Sequence, residues 1–229
     1  MKHTSREISG RAELERLDKQ VQDQMQQQLR EMDRHYTEQL YQRYRSLVPP
    51  ERIHAMKDLP TVFEDRKHFE QSYLRADGMK PAENVVGFSQ GTSEPAHVAT
   101  DHLQMRKTII HERLHQLSDP RAVEQLGRGL DEGITEDLAI DELGSEWNPE
   151  LLRSYPEQRA LAHNLRDLCG NDSINDAYFQ GDVGKLRICL DDRLGKGSLD
   201  KLKEMADSPD APEQKSGRAE GDAADRQDR

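Results

Sequence analysis

Apolar residues recur every three or four positions near the start of the chain: Leu14, Leu17, Val21, Met25, Leu29, Met32, Tyr36, Leu40, Tyr44 and Leu47, stopping just before Pro49-Pro50. Such spacing places them on one face, so the pattern predicts a single long amphipathic helix over 13–48. A mean step of about 3.67 residues keeps the stripe straight or slightly right-handed, unlike the 3.5-residue repeat of a left-handed coiled coil. The helix is therefore expected to dock on the rest of the protein; a partner-binding, secretion-chaperone or inhibitory role is the alternative. Between Leu59 and Thr100 the pattern changes to short β-prone runs at 61–63, 85–88 and 97–100, separated by Gly, Pro, Asn and Ser. These predict a small sheet with a hairpin over GTSEP. From residue 104 the spacing is helical again, with candidate helices at 104–118, 121–126, 130–143, 149–153, 156–169, 172–180, 182–193 and 198–205. Asp119-Pro120, Gly127, Gly144, Pro149, Pro156, Gly170, Gly181 and Gly195 punctuate them. The expected class is α+β, with a flexible stretch at 1–12, the long helix at 13–48, one folded domain over 59–205 and a tail at 206–229.

Composition changes this picture mainly at the tail. Hydrophobic residues are 33% and charged residues 34% of the chain, with a mean hydropathy of -1.00, so part of it is expected to lie outside the core. From Asp207 onward there is no Leu, Ile, Val, Phe, Tyr, Trp or Met, and such a segment cannot bury enough apolar area to offset the entropy of ordering. It is read as a disordered acidic tail. A formal charge of -11 argues against nucleic acid or an anionic membrane as the main partner, since neither attracts a protein of the same sign. The N-terminus MKHTSREISG has no apolar run behind its charges, and no stretch approaches the ~20 apolar residues of a membrane span. The protein is expected in the cytoplasm, or exported without a cleaved signal. Cys169 and Cys189 each fall on an apolar helical pattern, and in a cytosolic setting two buried thiols are expected in preference to a disulfide.

Candidate chemistry is concentrated in TIIHERLHQLSDP, where His111-Glu112-Arg113-Leu114-His115 spells H-E-x-x-H. Composition alone produces such a string by chance in roughly 3% of chains of this make-up, so its surroundings must decide. On a helix, His111 and His115 project from one face and can direct imidazole nitrogens at one ion. Ile110, Leu114 and Leu117 form an apolar stripe beside them that would bury the helix. Glu112 stands next to the metal but off the ligand face, where it can accept a proton from bound water. A catalytic zinc needs a third protein ligand. Downstream, Leu130, Ile134 and Leu138 make a second buried stripe, with Glu132 and Glu136 four apart on an adjoining face. Glu132 is the expected third ligand, and Glu136 the acceptor for the other ring N–H of a histidine ligand; one turn of register would exchange these roles.

HERLH followed by DEGITED, with 16 residues between His115 and Glu132, resembles the gluzincins, the thermolysin-like branch of zinc metallopeptidases, in a compact minigluzincin-like form. The resemblance covers about 59–144, extends as a helical lobe to about 205, and leaves the N-terminal helix unmatched. It implies a zincin-like fold, in which a small mixed sheet precedes an active-site helix, a glutamate helix and a C-terminal helical lobe. It also implies Zn2+ as cofactor, a protein or peptide substrate paired along an edge strand, and an oxyanion-stabilising Tyr or His from the C-terminal lobe. Tyr155 is the first candidate for that role and His163 the second, with Arg159 placed to orient either. His54, His68, His97 and His102 lack a spaced partner and are expected at the surface or in the sheet, and Trp147 is expected to pack an inter-helix loop.

The leading expectation is therefore a zinc metalloendopeptidase with Glu112 as the base, in a subsidiary form a bacterial effector or toxin protease. The competing class is a non-enzymatic interaction protein, acting through the 13–48 helix, in which zinc is a structural clip. Glu112 separates the two, because a structural site has no need of a carboxylate beside an open coordination position.

Overall fold

The first helix, α1 (Thr4–Tyr44), carries the predicted stripe but uses only half of it. Leu29, Tyr36, Leu40 and Tyr44 are buried, whereas Leu14, Leu17, Val21 and Met25 are exposed. The cause is length: at about 1.5 Å per residue the helix runs about 60 Å, roughly twice the breadth of a small domain, so its first half has no surface to lie on. It also begins at Thr4 instead of Glu13. This computed structural model describes residues 4–91, 93–146 and 155–208, with side chains from residue 13 onward. The candidate helix at 149–153, Trp147 and the tail beyond 208 lie outside the described residues.

Two helices that the apolar spacing did not announce follow. Helix α2 (Pro50–Asp58) starts with a proline in its first turn and buries Ile53 and Met56. Helix α3 (Arg66–Asp77) is capped by the Asp65 carboxylate, which accepts from the His68 N–H, and ends at Gly78, whose φ of 74° suits the left-handed turn. Both are short, with two or three buried residues each, too few to establish a period. The predicted sheet is present: β1 (Val62–Glu64), β2 (Gly87–Phe88) and β3 (His97–Ala99), in the order β1-β3-β2. Strand β3 runs parallel to β1 and antiparallel to β2, and GTSEP lies in the β2–β3 connection. Helix α3 covers the sheet through a small cluster of Phe69, Tyr73, Val85, Phe88 and Ala99.

Among the described residues seven α-helices follow: α4 (Met105–Leu117), α5 (Ala122–Leu126), α6 (Arg128–Leu143), α7 (Pro156–Cys169), α8 (Asn171–Gln180), α9 (Gly184–Leu194) and α10 (Ser198–Ala206), with a short 3-10 helix at Gly144–Glu146. Each boundary falls within two residues of its expected range, because glycine and proline end helices for local reasons. Helices α4 and α6 form the centre, burying Ile109, Ile110, Leu114 and Leu117 from one and Leu130, Ile134 and Leu138 from the other. Gly133 lets α7 close on α6: a Cβ there would fall 2.3 Å from the Gln158 carbonyl oxygen.

The cysteines correct the expectation of two free thiols. Cys169, at the end of α7, is joined by a disulfide to Cys189 of α9, with their Cα atoms 5.7 Å apart. Helical spacing indicated that each faces inward, but pairing depends on which helix lies opposite, and that is a tertiary property. The architecture is α+β in general, mostly helical with one small mixed sheet. Among the described residues no helix is long and apolar enough to cross a membrane.

Candidate metal centre

Helix α4 is buried along every residue from Lys107 to Leu117, and α6 packs across it, buried from Leu130 to Ile140. This crossing brings His111 and His115 of one helix against Glu132 of the other, all three side chains buried. The Nε2 atoms of the histidines are 3.2 Å apart. Oε2 of Glu132 lies 3.2 Å from Nε2 of His111 and 3.4 Å from Nε2 of His115. Ligand atoms at about 2.0–2.1 Å around a tetrahedral ion are separated by roughly 3.3–3.4 Å. The triangle therefore has the dimensions of three corners of such a site.

The outer sides of both rings face acids. Nδ1 of His111 is 3.2 Å from Oε2 of Glu136, although the two are not aligned as a hydrogen bond. The other Glu136 oxygen accepts from Lys107 Nζ at 2.8 Å, a contact buried on both sides. Nδ1 of His115 lies 3.5 Å from Oδ2 of Asp131, an ion-pair distance. Carboxylates behind metal-binding rings set the tautomer so that Nε2 faces inward. Sequence reasoning anticipated Glu136 but missed Lys107 and Asp131. Lys107 stands one turn before His111 on the same helix, a signal that spacing alone carried; Asp131 adjoins Glu132 and had no separate signature.

Burial works against charge throughout this site. For His111 it pulls the imidazole pKa down, yet Glu132 and Glu136 on either side push it up to about 10. For Glu132 burial raises the pKa, and the neighbouring charge of His115 with the His111 hydrogen bond overcomes this and holds it well below the usual range. Glu136 is likewise lowered, against its burial, by His111 and Lys107. For Glu112 burial wins: it pushes the carboxyl up, and the lowering by His111, His115 and Lys107 does not offset it.

Glu112 is 5% exposed and lies under β2. A Cβ on Gly87 would fall 2.5 Å from Thr108 Cγ2 and 2.6 Å from Glu112 Oε1, so the strand backbone passes directly over the acid. A glycine inside a strand run marks such close approach, and it was the available signal for a residue that sequence reasoning did not single out. Val85, Val86, Gly87, Thr108, Glu112 and Tyr155 line a small cleft of about 40 Å³ that His111 also faces, with room for a few water molecules.

Of the two oxyanion candidates, Tyr155 is at the cleft and His163 is not. The Tyr155 ring lies parallel to that of His111, at an interplanar angle of 4° with centroids 6.1 Å apart. It stands just before α7 with φ 48° and ψ 43°, the left-handed region that a non-glycine residue occupies at a cost of about 1–2 kcal/mol. His163 is half-exposed on α7 and sits 3.4 Å from Oδ1 of Asp137, away from the cleft lining. Arg159 also approaches Asp137, at 3.5 Å. Three of the four isolated histidines are as expected, His102 being partly buried outside the sheet: His54 and His68 are exposed, and His97 lies in β3, stacked on Phe88 and bonded to Glu64. His102 follows the sheet, its pKa lowered by burial to about 4.

No family model matches the chain, and no curated protein or solved structure matches it. Any functional reading therefore rests on this constellation and not on kinship.

Proposed function

We propose that this protein is a zinc-dependent peptidase of the gluzincin type, with a zincin-like arrangement of sheet, histidine helix and glutamate helix within 59–205. The observation that carries the reading is the near-equilateral triangle of His111 Nε2, His115 Nε2 and Glu132 Oε2, with edges of 3.2–3.4 Å. These three residues would hold the ion, and Glu136 and Asp131 would steady the rings from behind. When bound, zinc would supply a water of lowered pKa, near ~7, and polarise a carbonyl.

The remaining chemistry belongs to the chain. Glu112, whose carboxyl is pushed up by burial, is suited to take a proton from water at its carboxylate and to deliver it to the leaving amine nitrogen. The Tyr155 phenol, whose residue lines the cleft beside His111, would donate a hydrogen bond to the substrate carbonyl oxygen as negative charge develops there. Strand β2 is an edge of the sheet and passes over the cleft at Gly87, which supports main-chain pairing with an extended peptide.

A structural clip would be closed by four protein ligands, and among the described residues the group that could hold an ion has three. This favours the catalytic reading over the interaction protein. The test combines metal analysis and peptide cleavage, measured by mass spectrometry on a proteome-derived peptide mixture, for wild type and Glu112→Gln. About one zinc per chain in both, with hydrolysis in wild type alone, is the expected result. Undiminished cleavage by Glu112→Gln would remove Glu112 as base, and a zinc-bound but inert wild type would favour the clip.

A further inference from the structure

We infer that the groove between α1 and β1 is a second binding site, which takes an extended acidic segment of a protein partner as an added strand on the outer edge of β1. This edge is opposite the one at the candidate metal centre, since the strand order is β1-β3-β2, and the inference does not depend on the peptidase reading.

Backbone directions define the edge. The Val62 N–H donates to the Ala96 carbonyl and the Thr100 N–H to the Glu64 carbonyl, so Val62 and Glu64 turn their main-chain groups toward β3. Strand alternation then turns the N–H and C=O of Phe63 outward. Outward means toward α1, because the Thr61 N–H donates at 3.1 Å to the Asp33 carboxylate on that helix. Beside this contact lies a cavity of about 550 Å³, lined by Val62 and Phe63 of the strand and by Arg30, Arg34 and Thr37 of the helix. That is within the range of roughly 300–1,000 Å³ typical of ligand sites.

The lining specifies the chemistry. Arg30 and Arg34 stand one turn apart on α1, both exposed. The acid in the wall, Asp33, is already engaged by Arg113 and Thr61, so it does not cancel them. Lys57 at the rim is engaged by Glu38 and the Tyr41 ring, so the two arginines carry the recognition. Deeper in, Thr37 is 7% exposed and its hydroxyl has no hydrogen-bond partner, which is rare for a buried polar atom and is satisfied by an incoming group. Guanidinium pairs recognise carboxylates, and an open strand edge recognises extended backbone. Together they select an acidic extended peptide over a small anion. Nucleic acid would meet the same arginines but has no peptide backbone to pair with the strand edge.

The test uses the full chain carrying Glu112→Gln, which prevents cleavage of the probe, and fluorescence anisotropy with labelled acetyl-Thr-Val-Glu-Val-Glu-Val-Thr-amide. Saturable binding is expected, at least about tenfold weaker for the counterpart with Lys in place of Glu and for the Arg30→Glu/Arg34→Glu protein. Both arginines are exposed, so melting temperature should not move, and circular dichroism checks this. N-methylation of alternate peptide nitrogens should abolish binding, and the Phe63 amide should exchange more slowly in the complex. Equal affinity for the lysine peptide, indifference to the arginine substitutions or to N-methylation, or no binding would overturn the inference. So would capture of a single-stranded oligonucleotide, or self-association lost in the double variant, with no peptide binding; these would assign the groove to nucleic acid or to a second copy.

Discussion

Asp33 of α1 and Arg113 of α4 form a buried two-pronged ion pair: Arg113 Nη2 donates to Asp33 Oδ2 at 2.7 Å and Nε to Oδ1 at 3.0 Å. Arg113 also donates to the carbonyls of Met56 and Leu59. Because Arg113 is one of the two variable positions between His111 and His115, the long N-terminal helix grips the candidate metal helix from within its motif. Removing one partner of such a pair leaves an uncompensated buried charge. Asp33→Ala should therefore lower unfolding free energy by about 3–5 kcal/mol, measured by urea denaturation. A loss under ~1 kcal/mol would place this pair with weak surface bridges.

The two halves of α1 should behave differently. Leu40 is fully buried, and Leu40→Ala should cost about 2–5 kcal/mol. Leu17→Ala, in the exposed half, should change stability by less than ~0.5 kcal/mol. Equal effects in the same denaturation experiment would mean that the first half packs on something.

Chelator competition should rank the acids and histidines. His111→Ala, His115→Ala and Glu132→Ala should each abolish zinc retention, because two remaining ligands do not hold the ion against water. Glu136→Ala, which leaves all three ligands in place but removes the contact to His111 Nδ1 and the partner of Lys107, should weaken retention about 10- to 100-fold, with activity recovered on adding zinc. Complete loss in Glu136→Ala with mere loosening in Glu132→Ala would exchange their roles.

Gly87→Ala examines the strand above Glu112. The added methyl would meet Thr108 Cγ2 and Glu112 Oε1 at 2.5 and 2.6 Å, so the Glu112 side chain must shift along with Thr108 or the strand. Zinc content should stay at wild-type level while hydrolysis falls by about tenfold or more, since a misplaced base loses much of its effect. Unchanged cleavage would show that Glu112 tolerates displacement.

Acid stability should depend on Asp119, whose carboxylate accepts from Arg52 at 2.8 Å and from Arg121 at 2.9 Å. Burial raises its pKa, but the arginine contacts and the Arg121 backbone N–H bring it below the ordinary value. A depressed folded pKa means that the unfolded state binds the proton first on acidification. Its contribution is thus fully present above the unfolded pKa of about 3.9 and lost as pH falls through the lower folded value. Asp119→Asn should lower stability at pH 7 and flatten the decline below about pH 4; a parallel decline in wild type and variant would show that Asp119 is not responsible.

What the sequence determined by itself was local. Glycine and proline stop a helix through their own backbone limits, so α4 to α10 were legible almost to the residue, and a four-residue step places His111 with His115 and Glu132 with Glu136 whatever lies nearby. Which of these groups meet was decided by the crossing of α4 and α6, which turned Glu132 to both Nε2 atoms and Glu136 to one Nδ1. Tyr155 was the first candidate on paper and His163 the second, with no spatial ground for either; the close approach that Gly133 allows between α6 and α7 accompanies Tyr155 at the cleft and His163 on Asp137. The apolar stripe of α1 announced a helix but not where its support ends, and Cys169 and Cys189 each announced an inward face but not each other. Periodicity and capping are properties of a few consecutive residues. Burial, pairing and approach depend on which distant segment arrives opposite, and only the packed chain supplies that.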